Sequence, residues 1–339
     1  EGAKIISGVS TVFYAEDFLK RSSLFSDTSI RILHLKMHKG IVNDKNDNAD
    51  LFELDEAFKN VIDSKTDRGD GFTLNKIMQD LREVKTDEEL RLMKQAVTMT
   101  CKGFLSMMKN ASPGMTEYQI QAIGEYEFKK SGAETFGYSS ICGSHENSVI
   151  LHYTSNRRTM NDSDLILLDM GAEYHGYTAD VTRTIPIGNK FTTEQSIIYE
   201  LVLKAQEAGI AACVKGNPFT DVHKAATAVI AEGLVKLGIT KSLSESDKYF
   251  MHGTSHYLGL DVHDPGSRGP LKSGSVITVE PGIYIEENSD CDPKWWNIGV
   301  RIEDDILITD KGPENLSESA PRTIKEIENL KNQKADMNK

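Results

Sequence analysis

The chain has 339 residues, 39% of them hydrophobic and 27% charged, with a formal net charge of -12. That is an ordinary soluble globular composition with room for two domains. The acidic balance excludes a nucleic-acid footprint, and no apolar run reaches the ~18 residues of a membrane span.

The opening EGAKIISG has no Met, so the numbering reads as starting inside a longer product. Residues 1–80 mix short apolar and polar runs and read as a small α/β piece. HKGIVNDKNDNADL (38–51) is loop-like, and TDRGDGF (66–72) sets two glycines among charges. A different regime begins near Lys85. Thr86 with Glu89 three residues on is a capping-box pattern, and it predicts a helix running to Asn110. Thr116 with Gln119 opens a second helix, Thr192 with Gln195 a third, and residues 219–238 form a fourth. Strand-like runs lie at 147–153, 164–173, 177–187, 275–285 and 297–309. A helix pair followed by a hairpin thus occurs twice, at 86–187 and 192–309. The order predicts an α+β fold of two related halves, with one curved antiparallel sheet covered by helices. The chain divides as 1–84, 85–325 and a polar tail at 326–339, the tail reading as a frayed helix end. Cys101, Cys142, Cys213 and Cys291 are scattered without a C-x-x-C pair, which fits a reducing, cytoplasmic compartment.

The chemistry starts with LLDMGAEYHGYTADVTRTIP (167–186), where Asp169 and Asp180 interrupt apolar runs. With a two-residue loop at Tyr174-His175 or His175-Gly176, strand parity puts both carboxylates on one face. They are then directly opposite or one diagonal apart, roughly 5–8 Å between neighbours. The plain alternative is a solvent-facing pair near a hairpin tip. Glu280 follows a β-branched run in SVITVEPGIYI (275–285). In NIGVRIEDDILIT (297–309), Arg301 and Glu303 share the strand face opposite Ile298, Val300 and Ile302. A solvated charged face is the alternative there. HGTSHYLGLDVHD (252–264) holds His252, His256 and His263 in a glycine-interrupted stretch. Taken jointly, two Asp, two Glu and a His in apolar settings make a ligand set for two divalent metals. Manganese, zinc, cobalt or iron would suit these oxygen and imidazole donors. Cations in place of water would let the carboxylates be buried.

With ILHYTSN (150–156), these stretches together resemble the pita-bread metallopeptidases, and within them the Xaa-Pro aminopeptidases (aminopeptidase P). The resemblance implies a pita-bread (creatinase/aminopeptidase) fold. It implies two divalent ions, manganese foremost, held by Asp169, Asp180, His256, Glu280 and Glu303. Asp180 and Glu303 would bridge them, and Glu280 would also move the proton of the attacking water. His263 and His152 would face the scissile carbonyl, and His252 would line a proline pocket. Tyr284 would be a pocket wall, and Arg301 a partner on the Glu303 face. The implied activity is hydrolysis of the N-terminal Xaa-Pro bond, on peptides with proline second, by a homo-oligomer (dimer or tetramer). Xaa-Pro dipeptidases (prolidases) are the nearest alternative, although they commonly carry Gly where this chain has Ser255. Non-catalytic peptide-binding proteins of the same fold are a further one. Members carry a longer creatinase-type amino-terminal domain, and residues 1–84 resemble its second half. CDPKWW (291–296) is a local elaboration, with Trp295 and Trp296 read as packing residues.

Overall fold

A computed structural model describes residues 10–14, 17–21, 51–63 and 71–333. The chain groups into two compact units, Glu1–Met78 and Gln79–Lys339. In the first, the described elements are helices α1 (Phe18–Arg21), α2 (Leu51–Asp63) and the start of α3 (Gly71–Arg82). Phe18 and Phe58 meet edge to face at 6.4 Å within this unit. The loop-like reading of 38–51 lies outside the described residues except at Leu51, which opens α2.

The second unit begins in earnest at α4 (Asp87–Asn110), where the capping box forms as expected. Thr86 N–H donates to Glu89 Oε2 (2.7 Å) and Glu89 N–H to Thr86 Oγ1 (3.3 Å). Three acidic residues in the first turn complement the helix dipole. Met93, Val97, Thr100, Phe104, Met107 and Met108 form its buried face at helical spacing. Helix α5 (Glu117–Lys130) crosses it closely because two glycines face each other's neighbours. A Cβ on Gly103 would lie 2.3 Å from the Phe128 ring, and one on Gly124 2.7 Å from Met107 Sδ.

Strands β1 (Thr135–Phe136), β2 (Ile141–Ser144), β3 (Leu165–Met170), β4 (Ala172–Tyr174), β5 (Tyr177–Thr178) and β6 (Val181–Pro186) complete the first half. The second half repeats the order: α6 (Thr193–Ala212), α7 (Phe219–Lys236), then β7 (Val276–Val279), β8 (Gly282–Ile285), β9 (Ile298–Arg301), β10 (Asp304–Thr309) and β11 (Gly312–Asn315). The sheet is built of short antiparallel ladders ordered β1-β4-β5, β2-β3-β6, β11-β10-β7 and β8-β9. The bridge Thr182↔Glu303 joins the halves. Residues 147–153, expected as a strand, instead form the end of a 3-10 turn (His145–Asn147) and a loop. The 275–285 run breaks at Glu280-Pro281, since proline has no N–H for a ladder. The 297–309 run breaks at Ile302-Glu303. Both glutamates therefore sit where the chain leaves one ladder for another.

Along β3, Ile166, Leu168 and Met170 join the large core beneath the helices. Leu167 packs on the other face with Ile141 and Tyr284, and the period of two assigns Asp169 to that face. Trp295 is in the core and Trp296 packs against it. The last helix, α8 (Ile324–Lys331), crosses residue 325, with Ile327 buried. The polar run from 334 lies outside the described residues.

Candidate metal centre

The β3–β6 hairpin turns through His175 (φ 50°) and Gly176 (φ 85°), between the pair Tyr174↔Tyr177. Positive φ at both positions matches the right-handed strand twist. Of the two loops weighed from the sequence, this is the one that sets the aspartates diagonally: Asp169 pairs with Thr182, two residues beyond Asp180. Gly171 is required between them, because a Cβ there would meet Ala179 O at 1.9 Å. Both carboxylates are buried, 8% and 5% exposed, so the solvent-facing reading fails. Tyr138 donates its hydroxyl toward Asp169 Oδ1 (2.6 Å) and Asp180 Oδ1 (2.5 Å), a two-way contact at one atom.

His256 follows Ser255 in the glycine-bent segment. Its backbone N–H donates to Thr278 Oγ1 (3.1 Å), and its Nδ1 lies 3.0 Å from Tyr257 O. With Nδ1–H donating there, Nε2 faces Asp180 Oδ2 (3.3 Å) and Glu280 Oε1 (3.6 Å), and in the metal-free protein it donates a proton toward them. Thr182 donates to Glu303 Oε2 (2.6 Å), and Glu303 N–H to Thr182 O (3.0 Å). Asp180, His256 and Glu303 each offer a ligand atom, all within 4.8 Å of one another. Arg301 is buried too, so the solvated charged face is not formed. Its guanidinium bonds Asp169 Oδ2 (2.6 Å) and Tyr284 OH (3.0 Å). Arg301 and Glu303 line the same cavity and Thr182 Oγ1 touches each, as strand alternation expects.

Burial pushes Glu280 up to about 7, with Asp180 and Asp169 adding to the rise and His256 and Arg301 opposing it. Burial and the carboxylates of Asp180 and Glu280 push Glu303 well above the usual range. Burial would lower His256, but Asp180 and Glu280 outweigh it and raise it to about 9. Burial, then Arg301, takes His252 down to about 4. Four carboxylates thus share one buried site with one guanidinium and one imidazole. That is a surplus of negative charge that asks for cations.

These groups line a cavity of about 650 Å³ with His152, His252, His263 and Ser255. His263 meets His256 edge to face at 4.5 Å. His252 Nε2 lies 2.8 Å from Tyr284 OH. Tyr284 is not among the cavity residues; it is buried behind His252 and Arg301, 1% exposed. The sequence-predicted residues are therefore gathered at one place, with Tyr284 as a support for two of them. Tyr138, Thr182 and Thr278 were missed. Each is an uncharged residue whose role depends on a partner at least 22 positions away.

A hairpin carrying two buried aspartates, two glutamates at strand breaks and an imidazole define a metallopeptidase-type centre on an α+β scaffold. The profile of metallopeptidase family M24 matches residues 91–310, and the chain belongs to that family. It is 44% identical over 256 residues to the Xaa-Pro aminopeptidase of Haemophilus influenzae, covering 72% of this chain and 60% of that protein. It is 41% identical over 255 residues to the Xaa-Pro aminopeptidase of Escherichia coli, covering 72% and 58%. The chain thus spans about 60% of the length of these relatives. Among solved structures, aminopeptidase P from Escherichia coli with the inhibitor Pro-Leu superposes with a TM-score of 0.73 at 40% identity, over 75% of this chain and 61% of that one. Proline aminopeptidase P II from Yersinia pestis gives 0.85 at 32%, over 97% and 78%. The fold is the pita-bread fold the motifs implied.

Proposed function

We propose that this chain is the catalytic part of a metal-dependent aminopeptidase that hydrolyses the N-terminal Xaa-Pro bond. The observation that carries the reading is the cluster of Asp169, Asp180, His256, Glu280 and Glu303 at one buried cavity. Its donors fit divalent cations: all are oxygen or imidazole, His256 turns Nε2 toward Asp180 and Glu280, and the acids outnumber the local cations. Family membership implies divalent ions, and manganese is the metal proposed. Asp169, Asp180, His256, Glu280 and Glu303 would hold them. When bound, such ions polarise a carbonyl oxygen and make water acidic near neutral pH.

The chain's own groups supply the rest. Glu280 takes the proton from water and returns it to the proline nitrogen. His263 and His152 reach the scissile carbonyl across the cavity and stabilise its developing charge. His252, kept neutral by burial and steadied by Tyr284, packs against the proline ring. Arg301 fixes the Asp169 carboxylate. The Xaa-Pro bond lacks an N–H, so ring shape is what a pocket can read.

The Xaa-Pro aminopeptidase relatives support the substrate class. Residues 1–84 as part of a creatinase-type domain, 85–325 as the catalytic domain, 326–339 as a tail, and a homo-oligomer belong to the same reading. So does a cytoplasmic compartment, which the free cysteines Cys101, Cys142, Cys213 and Cys291 support. No helix among the described residues is long and apolar enough to cross a membrane. The test is release of the first residue from an Xaa-Pro-Yaa tripeptide with added manganese. No turnover by a folded, metal-loaded sample ends the reading, and preference for Xaa-Pro alone moves it to a dipeptidase.

A further inference from the structure

His263 is exposed to the cavity, so its place depends on the loop that carries it. That loop closes on itself. Asp264 N–H donates to Tyr257 O (2.9 Å), and the two residues form a bridge pair. This sets His263, next to Asp264, against His256, next to Tyr257.

Asp264 does not hold itself. Arg82 donates to its Oδ1 and also to Asp261 Oδ2, the latter at 2.7 Å. Lys85 Nζ donates to its Oδ2 at 3.1 Å, in a pair with side chains 2% and 1% exposed. Glu83, between the two cations in sequence, accepts from Tyr257 OH (3.0 Å), Ser267 Oγ (2.9 Å) and Lys272 Nζ (2.9 Å). Lys85 N–H donates to Gly274 O (2.9 Å). The fit has no slack: a Cβ on Gly259 would lie 2.5 Å from Asp264 Oδ2 and 3.1 Å from Lys85 Cε. A Cβ on Gly266 would lie 1.9 Å from the Tyr257 ring. Three polar anchors, Arg82, Glu83 and Lys85, thus grip both ends of the histidine loop.

We propose that Asp264, gripped by Arg82 and Lys85, is a positioning residue that holds His263 in place against His256. This makes the segment 82–85 a working part of the site, and it rests on the functional reading above. A displacement near 1 Å at a reacting group costs on the order of 10²-fold in rate.

The test uses the double variant Lys85→Met/Asp264→Asn, which removes both buried charges together and so leaves neither unpaired. Two quantities are read: kcat and KM on the tripeptide with manganese, and the ring resonances of His263 in the metal-free protein. The expected result is kcat lower by ~10–100-fold, KM changed less than ~3-fold, and a displaced, broadened His263 signal. If the double variant does not fold, Arg82→Gln, at a partly exposed side chain, is read in the same two ways, with at least ~3-fold lower kcat expected. A folded variant with parental kcat and an unmoved His263 signal overturns the clamp. If the unmodified chain never turns over the tripeptide, the functional reading falls, and the ring signal alone decides the clamp.

Discussion

Glu117 sits at the first position of α5, is fully buried, and among the described residues has five donors and no cation on its carboxylate. Its Oε1 accepts from Ser144 N–H (2.7 Å), Ser144 Oγ (2.7 Å) and Asn147 Nδ2 (3.0 Å). Its Oε2 accepts from Tyr153 OH (2.9 Å) and the Arg158 N–H (2.9 Å). The carboxylate is therefore the hub of the loop that carries His152. Glu117→Gln keeps the shape and replaces one oxygen by NH₂. The best arrangement leaves the amide oxygen to the Ser144–Asn147 donors and points NH₂ at Tyr153 and Arg158. The tyrosine hydroxyl can rotate to accept, but the Arg158 N–H cannot, and it is orphaned. Hydrogen bonds to an ionised group contribute ~1.5–3 kcal/mol, and an orphaned buried donor costs ~1–3 kcal/mol. Some of the first loss is kept as neutral bonds, so the expected destabilisation is ~3–5 kcal/mol. For a unit of this size that is a fall in Tm on the order of 10 °C. Urea and thermal unfolding measure it directly, and tripeptide turnover should drop with the His152 loop loosened. A change under ~0.5 kcal/mol, the range of an ordinary surface substitution, would refute the hub.

Tyr138→Phe removes the donor shared by Asp169 and Asp180 and should weaken manganese binding by ~10-fold, measured by titration calorimetry, without shifting far-UV circular dichroism. Asp180→Ala should abolish metal-dependent activity with secondary structure retained; full activity would remove Asp180 from the metal site. The metal-free protein should lose stability as pH rises from 6.5 to 9. Glu280 is raised from 4.5 to about 7 by burial, so its contribution is present below pH 4.5 and lost through 7. His256, raised from 6.5 to about 9 by Asp180 and Glu280 against burial, contributes below 6.5 and loses that contribution through 9. His252, lowered to about 4 by burial, runs the opposite way but is complete by pH 6.5. Manganese should therefore raise Tm more at pH 8.5 than at 6.5; an equal or smaller rise at 8.5 would count against the crowded-carboxylate picture.

The local signals were in the sequence. The capping pairs Thr86/Glu89 and Thr192/Gln195 form reciprocal bonds, because a helix start is decided within four residues. At Thr116 only half the box forms: Thr116 N–H donates to Gln119 Oε1 (2.8 Å), while the Thr116 hydroxyl is buried without a partner. The parity of the Asp169/Asp180 hairpin was equally legible, because strand alternation and a two-residue turn fix which face a side chain takes.

What only the tertiary structure decided is which distant groups meet. Arg301 shares a strand run with Glu303 and pairs with Asp169, 132 positions away. Tyr138 carries no charge and no motif, and becomes notable only where the hairpin brings two carboxylates to its hydroxyl. Residues 147–153 have the apolar content of a strand, but Glu117 from another helix claims the donors around them. Periodicity and spacing are short-range quantities written along the chain. Ion pairing, burial and loop clamping are set by distances in space, and folding is what brings Asp264 to Arg82 and Lys85 from about 180 positions away.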